Sequence, residues 1–581
     1  MNGALPSLLV VLFPVLCVAQ QTPPPAPPLP TLTVTSRLVY VDVVVRDSSG
    51  HAVHDLNQQD FKVWEDSKLQ PIDFFTPHAY HPAVAQTASA PKPAGGNREF
   101  SNVVAEGSSS AINILLFDLL NTPASDQIYA RQQMLKFLQN LPSGQRIALF
   151  VLTQRLRMIQ SFTGSSDLLV SAAKMLDAKD FHLLRSESQQ MEDADELERL
   201  ADAMGGRDPG SSVDHTAKDI GRDQAINTDI RARFTLAALA ELARATSGYP
   251  GRKNLLWLSG SFPLAVGAQM EYNPDAQEAG DMSRDLGHAS ADLQSQRETA
   301  NLIASAQIAV YPISLLGIET EGVDPEVRGD AEFTSIGHHL GTDRTGQFTG
   351  RQQLRYAMED LARQTGGQAF FATNDMAGAL QHGIEDGSSY YTLAYRPQSG
   401  NWNGKFRHIR VELTRKGDAL LYRRGYFATP EKPSSDPVQD LNRALQPETP
   451  DATMLRLKSR VDPPNAQHPG VLVTSYIDAG DVAFTTGPDG HRHAKLLVLL
   501  VAFTEGAKQP DKLPQATGTL NLDLDPDHYQ SLLSTGIGFQ LALALKPGRY
   551  RMRLGVNDLG NHHLGTLDMP VEMTAANAQA R

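Results

Sequence analysis

The run Ile112–Asn113–Ile114–Leu115–Leu116–Phe117 passes without a break into Asp118–Leu119–Leu120–Asn121–Thr122–Pro123, and this junction restricts the fold more than any other stretch of the chain. A short, continuously apolar run reads as a strand buried on both faces, which belongs in a parallel sheet covered by helices. After Thr122 the pattern changes to helical spacing, with Ala130, Met134, Phe137, Leu138 and Leu141 on one stripe. In open α/β sheets the ligand site lies outside the carboxyl ends of the strands. Asp118 stands at that place, where a carboxylate either holds a cation or orders the start of the next helix.

The same reading extends over residues 111–387. Strands are expected at 112–117, 146–152, 157–162, 254–258, 308–313 and 369–372, with further helices at 234–246, 287–306, 351–365 and 374–386. The short step Thr153–Gln154–Arg155–Leu156 reads as a hairpin and makes one strand antiparallel. The other strands need helical crossovers, as parallel pairing requires. The expected fold class is therefore α/β, a doubly wound and mostly parallel sheet, flanked by all-β domains.

Strand-like runs precede and follow this region. Leu38–Arg46, Phe61–Glu65 and Ile72–Phe75 lie before it, and Tyr390–Arg396, Phe406–Thr414 and Leu420–Phe427 lie after it. Neither 31–76 nor 389–428 is long enough to bury a core alone, since pieces below about 40 residues usually need disulfides or metals. Together they supply one discontinuous β-sandwich into which the α/β domain is inserted. Residues 77–110, rich in Ala, Pro, Gly and Ser, read as a linker, as does the proline-rich 429–452. Residues 453–574 read as a C-terminal sandwich of the immunoglobulin-like kind.

The first 19 residues have the apolar core and small-residue ending of a signal peptide, too short for a permanent anchor. Cleavage after Ala19 fits better than a lipid attachment at Cys17, and it removes the chain's one cysteine. Residues 20–30 (QQTPPPAPPLP) form a stiff polyproline spacer. The expectation is an exported protein, periplasmic or secreted, with no membrane anchor after processing. A formal net charge of −13 over 581 residues argues against a nucleic-acid surface, which needs Lys and Arg against phosphate.

Four blocks together resemble the von Willebrand factor type A domain, in the divergent related family of exported acidobacterial proteins. They are VDVVVRDSSGHAVHDLNQQDFKVWEDSKLQPIDFF (41–75), FDLLNTPASDQIYARQQMLKFL (117–138), PGRKNLLWLSGSFP (250–263), and YYTLAYRP with RHIRVELTRKG (390–417). The resemblance implies a type A fold used mainly for protein binding. It also implies a divalent-cation site built from D-x-S-x-S after the first strand, a Thr from a second loop and an Asp after a later strand. Asp118 matches, Thr122 replaces the second Ser, and Thr235 matches the second-loop Thr. Leu120 and Gly260 stand where a hydroxyl and a carboxylate would be. Losing two donors weakens hard-cation binding by orders of magnitude, since even outer partners cost about 10–100-fold. The site is expected to be degenerate, with no cofactor and at most weak Mg2+ or Ca2+ binding.

Other constellations have plainer readings. Leu258–Ser259–Gly260–Ser261–Phe262–Pro263 lacks the nucleophile-elbow pattern and reads as a hydroxyl-capped turn. His491 and His493, with His562–His563 further on, lack a defined third and fourth zinc ligand. His338–His339 lies in a Gly-rich insertion, and the acidic stretch 187–202 reads as a solvated helix. The sequence thus predicts a non-enzymatic module that binds a protein or cell-envelope partner at the sheet's carboxyl edge, with Asn121, Ser259 and Ser261 as contact residues. The alternative is an envelope scaffold in which the α/β domain only carries the β modules.

Overall fold

Every residue of Ile112–Asp118, Lys253–Ser259 and Ile308–Ser314 is buried, as strands covered on both faces require. These three strands run parallel at the centre and one edge of a five-stranded sheet. Arg146–Leu152 continues it in parallel, and Leu156–Thr163 closes the other edge antiparallel through the expected hairpin. The computed structural model describes residues 38–79, 99–102, 112–122, 124–141, 145–176, 230–261, 297–315, 355–371, 375–429, 436–464, 470–505 and 513–573, apart from positions 357, 400, 416 and 448. The signal-peptide and spacer readings, the acidic stretch 187–202 and His338–His339 lie outside them.

Helices cover both faces of this sheet. Leu236, Leu239 and Leu242 of helix 230–246, Ile303 of helix 297–305, and Met358 and Leu361 of helix 358–365 pack with Trp257 and Phe150 on one face. Ala130, Met134 and Leu138 of Ala124–Gln139, Leu169 of Ser166–Lys174, and Leu380 and Ile384 of Met376–Ser388 pack on the other. The strand expected at 369–372 is reduced to a single parallel bridge between Phe370 and Ile313. Phe370 donates to the Pro312 carbonyl and accepts from the Ser314 amide, both at 2.8 Å.

Val39–Arg46 pairs antiparallel with Ser389–Tyr395, across some 350 positions of chain. Ala419–Leu421 and Phe74–Ala79 complete that four-stranded sheet. A second sheet contains Gly425–Phe427, Phe406–Leu413, Phe61–Glu65 and Lys68–Gln70. The two share a buried cluster that includes Val41, Val43, Val63, Leu393, Tyr395 and Val411. The single strand expected at 420–427 is thus two, in different sheets, because the chain crosses between them at Tyr422–Arg424.

Two further corrections concern the linkers. Phe74–Ala79 and Glu99–Ser101 are strands within or overlapping the expected 77–110 linker, and Glu99–Ser101 pairs with Leu457–Asp462 of the C-terminal region. Pro437–Ala444 is a helix within the expected 429–452 linker, capped by Asp436 with Pro437 at its first position. The C-terminal strands form two sheets around one buried cluster that includes Leu457, Val473, Leu500, Leu554 and Met569, and a helix, Pro526–Thr535, joins two of the strands. The molecule is mixed α/β, with one mostly parallel sheet and several antiparallel ones. No helix among the described residues is long and apolar enough to cross a membrane.

Candidate functional site

Parallel register places Asp118 at the carboxyl end of its strand beside Ser259, since Phe117 is paired with Leu258. On the other side Asp118 is paired with Leu152, whose carbonyl accepts from the Leu119 and Leu120 amides. This pulls the chain after Asp118 down over the sheet's end. Asp118, Thr122, Thr235 and Ser259 are all 0% exposed.

The carboxylate of Asp118 collects donors from two segments, its own turn and the neighbouring strand. Its Oδ1 accepts the Asn121 amide at 2.9 Å. Its Oδ2 accepts Asn121 Nδ2 at 2.9 Å, Trp257 Nε1 at 3.0 Å and Ser259 Oγ at 2.9 Å. Trp257 and Ser259 are two apart on one strand, so their side chains leave the same face and reach the same oxygen. Burial pushes the Asp118 carboxyl above its ordinary range, and these hydrogen bonds oppose that shift.

The hydroxyls are equally engaged. Thr122 Oγ1 donates to the Asp118 carbonyl and accepts the Gly260 amide at 3.0 Å. Thr235 Oγ1 donates to Arg231 O at 2.8 Å and accepts Asn121 Nδ2 at 2.9 Å. Ser259 Oγ accepts the Ser261 amide at 3.3 Å, and Ser261 Oγ donates to the Asn121 carbonyl at 3.2 Å. The result is a closed knot tying 118–122, 259–261 and the start of helix 230–246 together.

This arrangement does not fit a divalent cation. Mg2+ asks for near-octahedral oxygen coordination. Among the described residues there is one carboxylate here, an indole N–H points at its Oδ2, and each hydroxyl already accepts a hydrogen bond. The buried oxygens left without a partner around it are Asn121 Oδ1 and Gln127 Oε1, both neutral amide oxygens. Leu120, at the position of a ligating hydroxyl, is buried in the core.

The sequence reading placed Asp118, Asn121, Thr122, Thr235, Ser259 and Ser261 at one site, and the structure brings all six together. As contact residues they differ. Asn121 is 1% exposed and Ser259 fully buried, both with side chains directed inward, while Ser261 is half-buried. Trp257 was not singled out, because an indole in an apolar strand carries no polar signal in sequence. Ile230 and Phe234, 44% and 38% exposed on the turn of helix preceding Thr235, were missed as well. They lie one turn apart on a helix otherwise buried at Leu236 and Leu239. Elsewhere, His491 Nδ1 donates to Asp523 Oδ1 at 2.7 Å, and among the described residues no group of three metal-ligating side chains forms.

No protein-family model matches this chain, and no curated protein matches it. Solved structures similar to it include an aerotolerance-related membrane protein from Bacteroides fragilis, at 10% identity and a TM-score of 0.23, covering 48% of this chain and 98% of that one. The conserved hypothetical protein BatB from Bacteroides thetaiotaomicron has 10% identity and a TM-score of 0.21, covering 47% and 96%. A von Willebrand factor type A protein from Catenulispora acidiphila has 10% identity and a TM-score of 0.22, covering 62% and 74%. At such TM-scores the fold rests on the strand order and pairing given above, not on these likenesses.

Proposed function

We propose that this chain is an exported von Willebrand factor type A-like module, carried by immunoglobulin-like β regions, that binds a protein or cell-envelope partner at the carboxyl edge of its parallel sheet, without catalysis and without a resident cation. The observation that supports it is the Asp118 knot. A solvent-excluded carboxylate saturated with donors offers no reactive group, yet it clamps three segments into one rigid edge. Preorganised edges bind with less loss of entropy than mobile ones. Ile230 and Phe234, exposed beside the knot, supply an apolar contact. Export rests on the N-terminal apolar stretch, and the type A reading on the four sequence blocks together with the strand order.

The scaffold reading has its own support in how tightly the regions are stitched. Gly248, at the end of helix 230–246, donates to Thr453 Oγ1 at 2.8 Å, and Asn102 Nδ2 donates to Ala452, Leu455 and Thr566 carbonyls. The two readings separate in one experiment. Polypeptides retained by the immobilised protein from envelope extract are identified, purified and titrated with and without excess chelator. A binding module predicts chelator-insensitive affinity that falls at least tenfold in Ile230→Ser/Phe234→Ser while the melting temperature holds. Unchanged affinity in that variant, or binding that requires a divalent cation, overturns the proposal.

A further inference from the structure

A cavity of about 40 Å3 lies at the opposite, amino edge of the parallel sheet, between helix 297–305 and the strands carrying Asp42 and Tyr426. Its wall holds one carboxylate, Asp42, and two guanidinium groups, Arg252 and Arg423. Asp42 is satisfied by Gln307 Nε2, 3.2 Å from each oxygen, and by Thr392 Oγ1 at 2.7 Å. Arg252 is satisfied too, donating to Tyr311 Oη at 2.9 Å, Gly366 O at 2.7 Å and Asn254 Oδ1 at 3.3 Å.

Arg423 is different. It donates no hydrogen bond to any described residue, and its Nε is shut off from solvent with no partner. The guanidinium carbon lies over the Tyr426 ring, 5.9 Å from its centroid. A guanidinium brings five donors in a fixed fork, and burying one unpaired is costly. Burial accordingly holds its pKa below the ordinary value, with Asp42 offsetting part of that effect. On the same wall, Gln364 Oε1 is a buried acceptor, also without a partner. A buried guanidinium nitrogen and a buried amide oxygen, both without a partner, on two residues of one cavity wall that carries one positive charge in excess, describe a site for a polar anion rather than an apolar void.

We propose that this cavity binds a small oxyanion of the hydrogen phosphate class, its charged oxygens held by the fork of Arg423 and its hydroxyl directed to Gln364. Planar forks match phosphate and carboxylate oxygens in pairs. A simple carboxylate satisfies Arg423 alone and binds more weakly. The occupant would bridge the β-sheet strands that flank Arg423 and Asp42 to the helices of the α/β region, so occupancy is read as stability of the whole chain.

The test is thermal unfolding and titration calorimetry of the full chain in phosphate, acetate and chloride at matched ionic strength. The proposal expects a saturable rise in melting temperature with phosphate, a smaller one with acetate, and none with chloride. Arg423→Met is expected to abolish the phosphate effect and Arg423→Lys to weaken affinity about tenfold or more. Ala304→Met, which fills the cavity from its helical wall and leaves the guanidinium in place, is expected to abolish it as well, and decides the matter if Arg423→Met fails to fold. Equal effects of the three anions, absence of saturable heat with the natural protein, or phosphate binding that survives Ala304→Met would each overturn the proposal.

Discussion

Ser259→Ala removes one oxygen from the centre of the knot and nothing from the apolar core. Asp118 Oδ2 at 2.9 Å and the Ser261 carbonyl at 2.6 Å, which share the single Ser259 hydroxyl proton, lose that donor, and the Ser261 amide loses its acceptor at 3.3 Å. Ser261 is half-buried and recovers part of this from water. The carboxylate, fully buried, does not. Hydrogen bonds to a charged group contribute about 1.5–3 kcal/mol, so the expected loss at neutral pH is about 1.5–3 kcal/mol. The pH dependence carries a sign. Burial raises the folded pKa of Asp118 above its ordinary value near 3.8, so the folded state holds its proton longer than the unfolded chain does. This group's contribution to stability is therefore largest below 3.8 and declines as pH rises to the folded value. Removing a donor lifts the folded pKa further, so the cost of Ser259→Ala grows with pH between the folded pKa of the natural protein and the higher one of the variant, and then levels off. Urea unfolding at a series of pH values reads this directly. The fluorescence of Trp257, whose indole donates to the same oxygen, serves as probe in a Trp64→Phe/Trp402→Phe background. A loss below about 0.5 kcal/mol at neutral pH, or a cost that does not change with pH, refutes the view that these donors stabilise the Asp118 carboxylate.

Asn102→Ala takes away a buried amide that donates to three carbonyls and accepts the Leu457 amide at 2.6 Å; a loss of about 2–4 kcal/mol is expected in the unfolding of the C-terminal strands, followed by hydrogen exchange. Gly248→Ala puts a Cβ 2.2 Å from the Thr453 carbonyl oxygen, so the end of helix 230–246 must move off the C-terminal region, at about 1–3 kcal/mol by calorimetric melting. Lys253 is buried and its pKa is pushed down to about 8, so the folded state binds fewer protons than the unfolded chain between about 8 and 10.5 and stability rises with pH across that interval. Lys253→Met is expected to raise stability at neutral pH by about 1–3 kcal/mol and to flatten that rise, measured by denaturation across the same range.

What the sequence disclosed follows from how many neighbours each residue needs to settle its state. Ile112–Phe117 declares a strand on its own, because a run apolar on both faces has few alternatives, and Thr153–Leu156 declares a hairpin by its length. Asp118 was legible as a position, since a strand's end at a helix's start is fixed by the chain itself. Trp257 was not, because its polar edge matters only once Asp118 arrives from another strand at 3.0 Å. Glu99–Ser101 is three residues long and becomes a strand only through Leu457–Asp462, more than 350 positions away. Pro437–Ala444 is a different kind of omission. Asp436 followed by Pro437 is a local helix start, and it was hidden by reading the surrounding prolines as a linker. Arg252 and Lys253, at the head of an otherwise apolar strand, were passed over, because their burial at the amino edge depends on neighbours from other elements.

The account depends most on the carboxyl edge being closed by the protein's own donors rather than by a cation. Calorimetric titration of the full chain with Mg2+ and with Ca2+ tests this directly. The knot predicts no saturable heat up to millimolar concentrations, for the natural protein and for Asp118→Ala alike. Micromolar binding by the natural protein that disappears in Asp118→Ala would contradict it, and would mean that the hydroxyls of Thr122 and Thr235 turn from their present partners toward a metal.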